Sequence, residues 1–167
     1  RQVLERLAHH QKVAVAVISG RSLRDLKSRV GIQGITCAGN HGIEIEGPWC
    51  KFVYPPAEAL RPVIHQLYSI LSRDLTGFEG AFVEDKGFTL TVHYRLAREN
   101  RVDELRRICE ETVRRLRSEG RIRTTEGKKV YEIRPGALWD KEDAMGLIMS
   151  GWSSSTGKSN SLAIFLG

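Results

Sequence analysis

The chain has 167 residues, a 41% hydrophobic fraction and a formal net charge of +6. That length holds one or two small domains with a packed core, and no run of about 18 apolar residues exists that would let a helix span a bilayer. The three cysteines, Cys37, Cys50 and Cys109, are odd in number and lack CxxC spacing, which argues against structural zinc or a disulfide framework. Residues 1–10 are polar and amphipathic, unlike an export or transit signal, so a cytoplasmic setting is expected. Most of the basic surplus lies between Arg95 and Arg134, mixed with Glu99, Asp103, Glu104, Glu110 and Glu111. Interspersed signs on a helix read as a solvated, self-paired face. No aromatic residues alternate with these charges as stacking platforms, so neither nucleic acid nor membrane is expected as a partner. An anionic small substrate accounts for the basic balance equally well.

In chain order, Val3, Leu4 and Leu7 form a helical stripe ending near His10. Val13 to Ile18 (VAVAVI) predicts a strand buried on both faces, the habit of parallel sheets. It stops at Ser19-Gly20-Arg21-Ser22, where Ser22 can cap a helix through Leu23, Leu26 and Val30. Strand, turn and helix in this order are pieces of a doubly wound α/β sheet, whose ligands bind at the carboxyl ends of the strands, where Ser19 to Arg21 lie. Ile35 to Ala38 predicts a short strand, Gly39 to Gly42 a polar turn, and Ile43 to Glu46 with Trp49 to Tyr54 a hairpin. Leu60, Val63, Ile64, Leu67, Ile70 and Leu71 have helical spacing. Phe82–Lys86 and Phe88–Tyr94 predict two strands, the second with Phe88, Leu90, Val92 and Tyr94 on one face and Thr89, Thr91, His93 and Arg95 on the other. A helix over 102–116 and strands over 121–125 and 129–133, turned at Glu126-Gly127, complete a ββ-α-ββ-α-ββ middle, an α+β layer. A helix over 141–149, a Ser/Gly loop over 151–160 and a buried strand over Ser161–Leu166 follow. The loop is no P-loop, because GxxxxGK[ST] requires glycine where Trp152 stands.

Four segments, VAVISGRSLRDL (14–26), AGNHGIEI (38–45), VEDKGFTLTVHYR (83–95) and YEIRPGALWDK (131–141), occur in order and cover nearly the whole chain. With them the chain resembles the trehalose-6-phosphate phosphatases of the haloacid dehalogenase superfamily. The resemblance implies an α/β fold: a partial haloacid-dehalogenase-like doubly wound core, in residues 1–40 and 135–167, with an inserted α+β cap domain in residues 41–134. It implies hydrolysis of trehalose 6-phosphate to trehalose and phosphate, with Mg2+ as cofactor, and a trehalose-6-phosphate synthase as fused or associated partner. The family's DxDGT loop, whose first Asp attacks phosphorus, and its GDDxTDE loop, which completes the magnesium site, do not occur in this sequence. The chain is therefore expected to be a fragment that is inactive alone, with no metal ligands of its own. Two alternatives remain: another sugar phosphatase of the superfamily, and a non-catalytic sugar-phosphate-binding or regulatory domain.

Residue by residue, the resemblance makes Ser19 and Lys141 the catalytic pair that neutralises the phosphate, with Gly20 and Arg21 beside it. A serine hydroxyl, turn amides and a compact lysine charge suit an anion. Ser19 equally suits a plain capping turn, Arg21 a surface ion pair and Lys141 an exposed helix position. Glu142 stands where the family has Gly after this lysine. Asn40, His41 and Gly42 are expected to line the substrate cleft. Glu84 and Lys86, two apart on one strand face, and Glu132 are expected to hold the glucose ring distant from the phosphate, with His93, Arg95 and Arg134 as weaker companions.

Overall fold

The computed structural model describes residues 1–157 and 162–164. The chain divides into two compact units, one made of Arg1–Val53 with the residues from Trp139 onward, the other of Tyr54–Leu138.

The first unit is built on a four-stranded sheet of order β1-β2-β3-β4: β1 Ala16–Ile18, β2 Thr36–Gly39, β3 Glu44–Glu46, β4 Lys51–Val53. Only β1 and β2 are parallel; β2, β3 and β4 form an antiparallel meander. Helices cover both faces, as a doubly wound sheet requires. On one face Val15 and Val17 pack with Leu26 of α2 (Leu23–Val30), Cys37 and Ala8 of α1 (Gln2–Ala8). On the other, Ile18, Ala38 and Ile45 pack with Ala144 and Ile148 of α5 (Lys141–Thr156).

Several expectations change here. The VAVAVI run is strand only from Ala16, and Ala14 and Ala16 are exposed. Among the described residues β1 is an edge strand, so its burial is incomplete. The 43–54 hairpin, expected in the cap, belongs to the first unit's sheet, because β3 pairs with β2 through Ala38 and Ile45. The units therefore divide at Val53 and Leu138 rather than at 40 and 134. Residues 151–156, expected as loop, continue α5, because Trp152 stands one turn beyond Ile148 and is buried edge-on against Trp49, with centroids 4.8 Å apart. Of the expected strand over 161–166, Leu162, Ala163 and Ile164 are exposed without regular structure, and residues 161, 165 and 166 lie outside the described residues.

The second unit is an antiparallel sheet of order β5-β6-β8-β7: β5 Phe82–Asp85, β6 Leu90–His93, β7 Ile122–Gly127, β8 Val130–Pro135. One face is covered by α3 (Pro55–Asp74) and α4 (Val102–Ser118). Pro55 and Pro56 open α3, where a missing N–H costs nothing. Ile64, Leu67 and Leu71 of α3 meet Leu105, Cys109 and Val113 of α4 over Leu90, Val92, Tyr131 and Ile133. Each such aliphatic side chain contributes about 1.5–3 kcal/mol by leaving water. Tyr131 is fully buried, and its hydroxyl donates to Glu110 Oε1 at 2.7 Å, linking β8 to α4. The turn expected at Glu126-Gly127 falls instead at Lys128 and Lys129, both at positive φ, because Gly127 pairs directly with Val130. Thr89 and Thr91, on the face opposite Leu90 and Val92, are buried as well.

Burial pushes the Cys109 thiol up to about 12 and raises Cys37 and Cys50 as well. Cys37 and Cys109 are buried, whereas Cys50 is only half-buried. N-ethylmaleimide under native conditions is therefore expected to label Cys50 first and Cys109 only on unfolding, as read by peptide mass spectrometry.

Candidate functional site

The first constellation gathers on a turn in the first unit. Asn40 and His41 both adopt positive φ, 48° and 62°, directly after β2. That conformation is costly for side-chain-bearing residues and persists only where surroundings enforce it. Here the Asn40 amide donates to the Arg21 carbonyl at 2.6 Å, and the His41 amide to the Ser19 carbonyl at 2.8 Å. The loop after β1 and the turn after β2 thus hold each other. The His41 ring lies over Gly20, where an added Cβ would stand 2.6 Å from Nε2, so a side chain there would require the ring to move.

Asn40 is fully buried, and its Nδ2 donates to Glu44 Oε1 at 2.8 Å. The same oxygen accepts the Leu23 N–H at 2.8 Å, at the start of α2. The β3 carboxylate therefore caps α2 beside Ser22, whose hydroxyl accepts from the Asp25 N–H at 3.2 Å. Glu44 carries no signal in the sequence beyond its place on the polar side of an alternating strand.

Gly42 ties the turn to α5. Its carbonyl accepts from Trp139 Nε1 at 2.8 Å, and at φ 99° it leaves no room for a Cβ against Ala144. Asp140 caps α5 in a reciprocal box with Asp143. Lys141 follows as the first helical residue, exposed, and among the described residues it has no ion-pair partner. A cation there opposes the helix dipole by about 0.3–1 kcal/mol, so the position is suited to an anion rather than to helix stability. Ser19, Gly20, Asn40, His41 and Gly42 are thus joined by direct contacts to the turn that presents Lys141. Arg21 is committed elsewhere: its guanidinium donates to Asp25 Oδ2 at 2.8 Å, and that hydrogen bond holds the Asp25 carboxyl below its ordinary value.

The second constellation lies on the sheet face of the second unit opposite α3 and α4. Register places Thr91 between Glu84 and Glu132. The Lys86 ammonium stands 3.9 Å from Glu84 Oε2 and 3.9 Å from Glu132 Oε1. Arg134 Nε donates to Glu132 Oε2 at 2.8 Å, and His93 Nε2 is 2.8 Å from Glu84 Oε2. The Lys86 and Glu132 side chains are 13% and 14% exposed, so their charges are mostly withdrawn from water and hold one another in place. Arg95 does not join them; its guanidinium reaches the Lys128 carbonyl at 3.4 Å. Thr91 Oγ1 is buried and has no hydrogen-bond partner among the described residues, which the alternation of the strand concealed. A cavity of about 610 Å³ opens elsewhere, along α4 and the β7–β8 turn. It carries less chemistry, because its Lys129 pairs with Glu99 at 2.7 Å and its Arg106 with Glu126.

The family model for trehalose-phosphatase matches residues 1–167. The chain belongs to the trehalose-phosphatase family. A trehalose-phosphate phosphatase of Mycobacterium tuberculosis is 38% identical over 141 residues, 84% of this chain and 34% of that protein. The chain spans about a third of the length of the first such relatives. Two solved structures share the fold. One, of a trehalose-6-phosphate phosphatase related protein, has a TM-score of 0.70 at 17% identity, over 93% of this chain and 62% of that one. The other, of the Candida albicans trehalose synthase regulatory protein C-terminal domain, has a TM-score of 0.65 at 15% identity, over 92% and 54%. Haloacid-dehalogenase-like architecture is thereby shown for this trehalose-phosphatase family member.

Replacing Glu44 by Ala removes the acceptor that the Leu23 N–H and the Asn40 Nδ2 share. Each unmet donor costs about 1–3 kcal/mol. Glu44→Ala is expected to lower unfolding free energy by about 2 kcal/mol or more in urea titration, with Glu44→Gln losing less.

Proposed function

We propose that this chain serves the hydrolysis of trehalose 6-phosphate to trehalose and phosphate, with phosphate held by the first unit and sugar by the second. Family membership together with the Glu84–Lys86–Glu132 cluster carries this reading. A carboxylate, an ammonium and a second carboxylate, fixed side by side on a rigid sheet, offer alternating acceptors and donors to a ring of hydroxyls. At the other constellation, Ser19 supplies a hydroxyl and Lys141 an exposed cation to a phosphoryl group, whose transfer depends mainly on positioning and charge stabilisation. Gly20 lets the chain pass beneath His41, and Asn40, His41 and Gly42 keep the Ser19 loop and the α5 start in register. Arg21 is proposed to orient the α2 end through Asp25. Arg134 and His93 orient the two carboxylates.

The nucleophile in this proposal is an aspartate of a DxDGT motif, which this sequence does not contain, forming an aspartyl phosphate that water then cleaves; the chain alone is accordingly proposed to be inactive. Mg2+ is the proposed cofactor. Among the described residues no three His, Cys, Asp or Glu side chains come together as metal ligands, so these residues do not form its site and no step is routed through it. Free cysteines support a reducing, cytoplasmic compartment. Among the described residues no helix is long and apolar enough to cross a membrane. Self-pairing along α4, such as Arg107 with Glu111 and Arg115 with Glu119, supports a small sugar phosphate rather than nucleic acid as partner. Association with a trehalose-6-phosphate synthase belongs to the same proposal, supported by the likeness to the regulatory protein.

Glu84→Ala, in a protein that includes the DxDGT loop, is expected to cut kcat/KM for trehalose 6-phosphate about 100-fold while changing that for p-nitrophenyl phosphate far less, because lost sugar contacts are worth about 1–3 kcal/mol each. Equal losses on both would refute sugar recognition by this cluster. Lys141→Ala is expected to lower kcat about 100- to 1000-fold on both substrates, as removal of one transition-state charge contact does. A loss confined to trehalose 6-phosphate would remove Lys141 from the phosphate end.

A further inference from the structure

Phe82 lies on β5, an edge strand, and is 59% exposed. A single exposed apolar residue is ordinary. This one differs in its neighbours. Strand alternation puts Phe82 and Glu84 on the same face, and register sets Phe82 opposite His93 as it sets Glu84 opposite Thr91. The Phe82 ring stacks on the His93 imidazole, with centroids 4.6 Å apart and planes within 13°. His93 is in turn fixed edgewise by Glu84, at 2.8 Å. The carboxylate, imidazole and phenyl group therefore form one assembly, in which His93 backs one side of the Phe82 ring. Two positions along the same face, the buried Thr91 hydroxyl has no hydrogen-bond partner among the described residues.

A hexopyranose ring has a rim of hydroxyls and an apolar face of C–H groups. The sheet face has the complement: alternating charges at Glu84, Lys86 and Glu132, and a flat aromatic surface beside them. Sites for small ligands combine apolar or aromatic walls with a few placed polar groups in this way. We propose that Phe82, backed by His93, is the stacking wall for the unphosphorylated ring of a disaccharide phosphate, and so sets the preference for a two-ring substrate. The inference deepens the trehalose 6-phosphate reading and rests on it. Lys86 and the two carboxylates hold the ring's edge; Phe82 covers its face, and Glu84 serves both by holding His93 in plane.

The test uses a protein that includes a DxDGT loop, as wild type, Phe82→Ala and Phe82→Tyr, with trehalose 6-phosphate, glucose 6-phosphate and p-nitrophenyl phosphate. Phe82→Ala is expected to raise KM for trehalose 6-phosphate about three- to tenfold with little change in kcat, the size of one aromatic packing contact. Phe82→Tyr is expected to restore the wild-type KM, and the two single-ring or aryl substrates to shift much less. A KM for trehalose 6-phosphate within twofold of wild type in Phe82→Ala overturns the inference. So does a loss of equal size on p-nitrophenyl phosphate, which would mark a general effect on the fold. Wild-type protein that shows no preference for trehalose 6-phosphate over the other two overturns the parent reading itself, a result visible before any variant is made.

Discussion

The Glu44 carboxylate is the contact on which the first unit's site is assembled. One oxygen takes the buried amide of Asn40 and the first N–H of α2, each at 2.8 Å. Without an acceptor there, the Leu23 N–H and the Asn40 Nδ2 lose the partner they share. With it, Asn40 and His41 are kept in the left-handed region and their amides reach back to the loop after β1. Backbone strain of about 1–3 kcal/mol per residue is thereby offset by hydrogen bonds that close around Ser19, Gly20 and Arg21. The same turn receives Trp139 and Ala144 through Gly42. Three chain segments far apart in sequence meet in this way on a single short turn, and the amino end of α5, with Lys141, is set by it.

The second unit solves a different problem. Its helices cover only one face of the sheet, and that face carries the core. The opposite face holds Glu84, Lys86, His93, Glu132 and Arg134, each in contact with another of the set. Partly desolvated charges of one sign would repel; alternating them fixes their positions while leaving oxygen and nitrogen atoms directed outward from a rigid platform. Rigidity comes from the antiparallel ladder behind them, which is continuous from β5 to β7.

Legibility of these features in the sequence follows their range. Helices with a clear three- and four-residue spacing, α3 and α4, lie where the spacing puts them, within a few residues at the ends. Alternation over 88–94 correctly marks the buried core side of β6. Alternation says nothing of burial on its other side, where Thr91 is buried between its cross-strand partners Glu84 and Glu132. The α5 extension was hidden by a run of Gly and Ser that disfavours helix locally, an effect overridden by burial of Trp152 against Trp49. The hairpin 43–54 has the same local pattern whichever sheet it joins, so its pairing with β2 was not readable from alternation.

By itself the sequence determined which residues can be helix or strand, and, through four ordered motifs, the family to which the chain belongs. Periodicity and motif order are properties of neighbours along the chain, and they survive without a fold. Only the tertiary structure decided that Glu44 caps α2, that Arg21 pairs with Asp25 while Lys141 has no ion-pair partner among the described residues, and that Phe82 and His93 stack beside Glu84. Those outcomes depend on strand register and on which polar group lies within hydrogen-bond reach of another, and both are set by packing between segments that the sequence holds apart.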